Sequence, residues 1–191
     1  MLFRSIRTGA GRGNLTSTSD VDYWSFSGRA GERLVVAVET PGNPGSSGLY
    51  WRVERPDGAT LVDFYAAANG TGQSAPVVLP VSGTYAVRVS YNHQYWGEYR
   101  LRVTVAPAPW QLEGEDNNTV AQANVPGFTR TASNQWAQVL GYIRVGDPGD
   151  VFSLGNLSDG TDFKFTCGKP DSSGLSGILE LLNSEIGRAH V

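Results

Sequence analysis

The sequence predicts an all-β chain: an antiparallel β-sandwich of jelly-roll type, followed by an incomplete second β-sandwich. Three observations carry that expectation. Apolar residues alternate with period two over short stretches, which is the pattern of a strand with one buried face. The 24 glycines and 10 prolines among 191 residues punctuate those stretches with turn signals. Finally, motifs from the first half return in order in the second, as an internal repeat requires. No window carries a helical period with caps at both ends.

Composition sets the outer limits. Fifteen Lys and Arg against 18 Asp and Glu give a net charge of −3, with 40% hydrophobic and 17% charged residues. That is enough apolar material for a core and too little charge for a disordered tail. The mixed, slightly acidic balance leaves no basic footprint, so nucleic acid is not an expected partner. The single cysteine, Cys167, excludes an intrachain disulfide framework and a multi-cysteine metal site. No apolar run approaches the ~20 residues of a membrane-spanning helix.

In chain order, Met1-Leu-Phe-Arg-Ser-Ile-Arg7 lacks the apolar region of ~7–15 residues that a secretory signal needs. Gly9-Ala-Gly-Arg-Gly13 superficially suggests a phosphate loop. It neither follows a strand nor has the Walker spacing, and it reads as a turn. From Arg33 onward, strand-like runs alternate with corners. Pro56-Asp57-Gly58 closes the run Tyr50–Arg55, Pro presetting φ and Gly accepting positive φ. Pro80-Val-Ser-Gly83 marks another corner. Thr84-Tyr-Ala-Val-Arg-Val-Ser-Tyr91 places Tyr85, Val87, Val89 and Tyr91 on one face. Glu98-Tyr-Arg-Leu-Arg-Val-Thr-Val105 does the same with Tyr99, Leu101, Val103 and Val105. Between them, Asn92-His-Gln-Tyr-Trp-Gly97 has hairpin length and a glycine.

Ala106-Pro-Ala-Pro-Trp110 breaks the pattern, because two prolines cannot sit in a central strand. Beyond it, Asp22-Tyr-Trp-Ser-Phe26 is echoed by Asp150-Val-Phe-Ser-Leu154, and Ser46-Ser-Gly-Leu49 by Ser172-Ser-Gly-Leu175, at nearly one offset. The expected organisation is a sandwich over 1–106, a Pro-rich linker over 107–112 and a partial second copy over 113–185. Residues 186–191, Ile-Gly-Arg-Ala-His-Val, can be encoded by codons that look like the opening of a widely used sequencing adapter, so the expectation is a reading frame cut where a read entered adapter, the alternative being a genuine polar C-terminus. The second copy then lacks its last strands and exposes an unfinished sheet edge.

The succession Asp20-Val-Asp-Tyr-Trp-Ser-Phe26, Arg29-Ala-Gly-Glu32, Arg55-Pro-Asp-Gly58, Leu79-Pro-Val-Ser-Gly-Thr-Tyr-Ala-Val-Arg-Val89 and Gly97-Glu-Tyr-Arg-Leu101 resembles the bacterial pre-peptidase C-terminal domain family. The resemblance covers about 19–107, and 113–185 as a partial second copy. It implies a small β-sandwich appended to a secreted or cell-surface bacterial protein, often a protease, with other domains of that parent as its partners. It also implies an accessory role without catalysis, and an extracellular location.

One segment carries a physical argument for a ligand. In Glu113-Gly-Glu-Asp-Asn-Asn118, an extended backbone puts Glu113, Glu115 and Asn117 on one side, while Gly146-Asp-Pro-Gly-Asp150 holds two carboxylates in a tight turn. If the two meet, their oxygens suit Ca²⁺, which takes 6–8 oxygen ligands. The alternative is a solvated acidic linker beside a polar turn. The resemblance implies calcium ligands at Glu113, Glu115, Asn117, Asn118, Asp147 and Asp150. Asp116 departs from the family's Glu-Pro-Asn. In the first copy no acid precedes Asp20, so Asp20 and Asp22 are expected to make only local turn bonds.

Enzymatic readings find little support. Of the two histidines, His93 lies in a loop with no nucleophile elbow nearby, and His190 lies in the adapter-like tail. Cys167 has no flanking catalytic motif and is expected buried or half-buried. The second functional reading is a binding module for polysaccharide or fibrous protein, gripping through Tyr91, His93, Tyr95 and Trp96. Its structural counterpart has Tyr91 turned inward with Tyr85 and Trp96 covering the end of the sandwich.

Overall fold

The computed structural model describes residues 5–41, 48–66, 70–143, 146–169, 173–183 and 187–189. Nine strands build the first part: β1 (Arg7–Asn14), β2 (Val21–Gly28), β3 (Arg33–Glu39), β4 (Tyr50–Glu54), β5 (Thr60–Tyr65), β6 (Thr71–Gln73), β7 (Val77–Val78), β8 (Gly83–Ser90) and β9 (Glu98–Ala106). They form two antiparallel sheets. One runs β1-β9-β3-β6, with β7 also on β3; the other runs β2-β8-β4-β5. The expected all-β sandwich is the fold.

Alternation fills the space between the sheets. Leu34, Val36 and Val38 of β3 and Tyr99, Leu101 and Val105 of β9 meet Trp51 and Val53 of β4 and Tyr85, Val87 and Val89 of β8. Most of these side chains are fully enclosed, and burying each contributes about 1.5–3 kcal/mol of hydrophobic free energy. The inward faces expected for β8 and β9 are the ones observed, except that Val103 is only partly covered and Tyr91, just beyond the end of β8, is half-buried and lies outside this core. At the Pro56-Asp57-Gly58 corner, Gly58 has φ +80° and its N–H donates to the Arg55 carbonyl at 2.9 Å.

Two expectations fail for physical reasons. Asn92–Gly97 is not a hairpin. β8 lies between β2 and β4 in one sheet, β9 between β1 and β3 in the other, so the loop arches over the end of the sandwich. Six residues cross the ~10 Å between sheets as easily as the ~5 Å between paired strands, so loop length could not decide. Gly9–Gly13 is not a turn either; it lies within β1, paired with β9 along its whole length. Small residues are needed there because a Cβ at Gly11 would lie 2.6 Å from the Trp24 ring, and one at Gly13 would enter the Tyr99 phenol.

Residues 1–152 pack as one compact unit, and 153–191 as another. Within the first unit, β10 (Trp110–Leu112) falls in the stretch expected as a linker, where Leu112 joins Val35 and Ala106 in a second small core with Ile6, Trp110 and Leu140 packed around it. The chain continues through a short 3₁₀ turn (Val120–Gln122), β11 (Thr129–Thr131), β12 (Asn134–Trp136) and β13 (Gln138–Leu140). β13 pairs in parallel with β10, and β11 with β12 as a hairpin. Asp22–Phe26 lies in β2, whereas its echo at 150–154 contributes a single bridge, Phe152 to Asn124. In the second unit β14 (Leu181–Asn183) pairs with β15 (Gly187–Ala189). The echo at 46–49 and 172–175 and the C-terminal hexapeptide fall partly outside the described residues.

Candidate metal centre

Three chain segments meet around Glu113. Its N–H donates to the Leu140 carbonyl at 3.1 Å, continuing the β10–β13 pairing by one residue. Its carbonyl accepts from Gln73 Nε2 at 3.3 Å, tying the segment to β6. The Tyr142 N–H donates to Glu113 Oε1. Further on, the Val151 N–H donates to the Asn117 carbonyl at 2.8 Å, and the Asn124 N–H to the Val151 carbonyl at 2.9 Å. Asn124 also clamps Gly114 from both ends, accepting from its N–H at 2.8 Å and donating to its carbonyl at 3.0 Å. The 113–118 segment and the Asp150 turn are thus joined by the backbone bond from Val151 to Asn117, with Asn124 bridging to both.

The result is a convergence of carboxylates. One oxygen from each of Glu113, Glu115 and Asp150 lies within 4.8 Å of the others. Glu113 is only 3% exposed, and burial, then the adjacent Asp150, pushes its carboxyl up to about 8. Three carboxylates held this closely repel unless protons or a cation compensate them. The Asn117 side chain is completely buried, and neither its Oδ1 nor its Nδ2 has a hydrogen-bond partner among the described residues. The Asn118 Oδ1 is buried without one as well. An unsatisfied buried amide costs about 1–3 kcal/mol, and a cation accepting its oxygen would remove part of that cost. Carboxylate and amide oxygens in this mixture fit a hard cation such as Ca²⁺.

Gly141 completes the enclosure. A Cβ there would collide with the Glu113 carboxylate and stand 3.2 Å from Asp150 Oδ2. Asp147 behaves differently from the other named acids: its Oδ1 accepts from the Gly149 N–H at 3.0 Å, closing its own turn. The peptide between Glu115 and Asp116 is cis.

The two acids at the start of β2 divide in the same way. Asp20 makes the local bonds expected of it, its Oδ2 accepting from the Thr16 N–H and hydroxyl, both at 2.8 Å. Asp22 does not: its Oδ2 accepts from the Tyr99 hydroxyl at 2.5 Å, a partner on the opposite sheet.

Residues 20–90 match the family model of the bacterial pre-peptidase C-terminal domain. No curated protein matches the chain. Among solved structures, the pre-peptidase C-terminal domain of collagenase from Bacillus anthracis aligns at 20% identity with a TM-score of 0.40, over 50% of this chain and 87% of that one. PliG of Aeromonas hydrophila, a periplasmic lysozyme inhibitor of g-type lysozyme, aligns at 20% identity with a TM-score of 0.32, over 53% and 84%.

The pre-peptidase C-terminal match spans β2 to β8 and stops short of the aromatic arch. There Tyr91 is half-buried, its ring centroid 5.5 Å from His93 and 6.0 Å edge-on from Trp96. Trp96 is 49% exposed. Tyr95 packs against the core and donates its hydroxyl to the Glu98 carbonyl at 3.0 Å. His93 is exposed with φ +75°. Cys167 is exposed rather than buried, because its stretch 161–169 forms no strand that could cover it. Sequence reasoning missed Asn124, Gly141 and the Tyr142 N–H. They carry no local signal, since each acts through a contact made only in three dimensions.

Proposed function

We propose that the chain is a non-catalytic accessory module of a larger secreted or cell-surface bacterial protein, possessing a calcium site made by Glu113, Glu115, Asn117, Asn118 and Asp150. The observation that carries the calcium reading is the convergence of three carboxylates, together with the wholly buried, unsatisfied amide of Asn117 two residues along the chain from Glu115. Bound there, calcium would neutralise the acids and take up the amide oxygen. Its role would be to fix the 113–118 segment against the Asp150 turn and stiffen the passage out of the sandwich. Asp147 would support the turn rather than ligate. The accessory reading is supported by the match over residues 20–90. The second part of the chain is read as a partial further copy of the same module.

Calorimetric titration of the whole chain with CaCl₂, paired with melting curves in CaCl₂ and in EDTA, tests the site. Binding heat and a higher melting temperature in calcium are expected, and Glu113→Gln removes both. Absence of heat together with identical melting temperatures overturns the reading.

A second reading draws support from one observation, the half-exposed Trp96 indole at the crest of the arch. In it the loop 91–96 grips polysaccharide or fibrous protein. Retention on insoluble polysaccharide or collagen that is lost in Trp96→Ala supports it; equal retention of both proteins makes the arch structural.

A further inference from the structure

The outer face of the four-stranded sheet carries an arrangement that the core does not need. Register aligns Tyr23, Arg88, Arg52 and Asp63 in one row across β2, β8, β4 and β5, and Ser90, Tyr50 and Tyr65 in the next. Tyr23 is 59% exposed and Tyr65 54%, unusual for large rings on a sheet face. Most of the polar groups here restrain one another. The Tyr50 hydroxyl donates to Asp63 Oδ2 at 2.5 Å, and the Tyr50 ring lies against Tyr65 at 5.1 Å. Arg52 Nε donates to Glu54 Oε1 at 2.9 Å. The Glu54 carboxylate is therefore paired with Arg52, whereas Asp63 is held by the Tyr50 hydroxyl with no ion pair among the described residues. Arg88 makes no ion pair among the described residues; its Nη1 reaches only Ser90 Oγ, at 3.5 Å.

We propose that this face binds an acidic polysaccharide, the Arg88 guanidinium receiving a sugar carboxylate while the rings of Tyr23, Tyr50 and Tyr65 receive the apolar faces of neighbouring sugars. The Arg88 guanidinium selects the occupant: it has no counter-ion among the described residues, and guanidinium binds carboxylate in a two-pronged fashion. The form of the face agrees. Arg88 and Tyr50 lie on inner strands whose backbone groups are already paired, so a peptide strand could add only along β2 or β5, at the rim of the sheet and not across its face. Neither the cleft lined by Leu112 and Phe152 nor the one lined by Arg12 and Glu98 includes a residue of this face. Aromatic rings amid hydrogen-bonding side chains suit a sugar chain lying flat. Restraint of Tyr50 and Arg52 before binding lowers the ordering cost. The proposal uses none of the calcium ligands and none of the arch, so it stands or falls apart from both.

The test is retention of the full chain on cross-linked polygalacturonate, with cellulose and gelatin beads alongside. Retention on polygalacturonate exceeds that on cellulose, and raising salt from about 0.05 to about 0.5 M removes most of it. Arg88→Gln weakens retention roughly tenfold or more, the worth of one charge-assisted contact. Tyr23→Ala weakens it too, and Trp96→Ala leaves it unchanged. Melting curves of each variant, matched to the parent, show that the fold is intact. The proposal is overturned by absence of retention on polygalacturonate, by retention on gelatin alone, by equal retention of a folded Arg88→Gln, or by loss through Trp96→Ala instead.

Discussion

Trp24 Nε1 donates to the hydroxyl of Tyr99 at 2.8 Å, from one sheet of the sandwich to the other. Tyr99 passes the connection back, donating to Asp22 Oδ2 at 2.5 Å. One phenol therefore links two residues of β2 to β9 through the interior. Tyr99→Phe strips the Trp24 indole and the Asp22 carboxylate of this partner, and is expected to cost about 1–3 kcal/mol in urea unfolding. A loss below a few tenths of a kcal/mol would mean that water replaces the hydroxyl.

The same phenol gives a dependence on pH. Burial first, then the hydrogen bond to Asp22, raises the Tyr99 hydroxyl well above the ordinary 10.0. The folded chain therefore holds this proton after the unfolded chain has released it. The stabilisation is complete below the unfolded value and is lost as pH rises past it toward the folded one. Urea titrations on either side of pH 10.0 should find the parent losing more stability with rising pH than Tyr99→Phe. Parallel losses in the two proteins would contradict this.

Gly13 faces Tyr99 directly, and a Cβ at that position overlaps the phenol. Gly13→Ala is expected to destabilise by about 1–3 kcal/mol, the usual cost of overpacking. Gly9→Ala, on the same strand with nothing near its Cβ position, is expected to be close to neutral. Melting temperatures of the two variants make the comparison.

Ser74 replaces a strand neighbour for Val36. Its hydroxyl accepts from the Val36 N–H at 3.0 Å, and its own N–H donates to the Val36 carbonyl at 2.9 Å, with Ser74 itself 1% exposed. Ser74→Ala leaves a buried N–H without an acceptor and is expected to cost about 1–3 kcal/mol. Hydrogen exchange of the Val36 amide should speed up as well.

At the candidate metal centre, Gly141→Ala places a methyl group where the Glu113 carboxylate lies and beside Asp150. Calcium affinity in this variant is expected to fall roughly tenfold or more, about 1.4 kcal/mol of binding free energy. Calorimetric titration reads it directly, and unchanged affinity would place the ion elsewhere.

The sandwich was legible because alternation is a local property: Tyr85, Val87 and Val89, or Tyr99 and Leu101, reveal their buried face within a few residues. Pairing is not local. The sequence of β8, loop and β9 reads alike for a hairpin and for an arch, and only the competition of β2, β4, β1 and β3 for their edges decides. Gly11 and Gly13 resembled a turn because their reason for being small lies in Trp24 and Tyr99, far along the chain. At the candidate site the spacing suggested that Glu113 and Glu115 share a side, and their carboxylates do converge, although the chain bends at Glu115 and is no continuous strand through to Asn117. That Asp147 closes its own turn while Asp150 joins the carboxylate cluster was not readable, since both depend on contacts made only in three dimensions.

The position of β10 bears on how the polypeptide can be shortened. Val35 and Ala106 look like ordinary sandwich residues, yet their outer cover is Leu112, Trp110 and Leu140. A fragment ending at the prolines after Ala106 would carry a bare greasy spot on β3 and would tend to clump. A fragment carried through Phe152, where the first compact unit ends, keeps that lid in place and should be the better-behaved reagent.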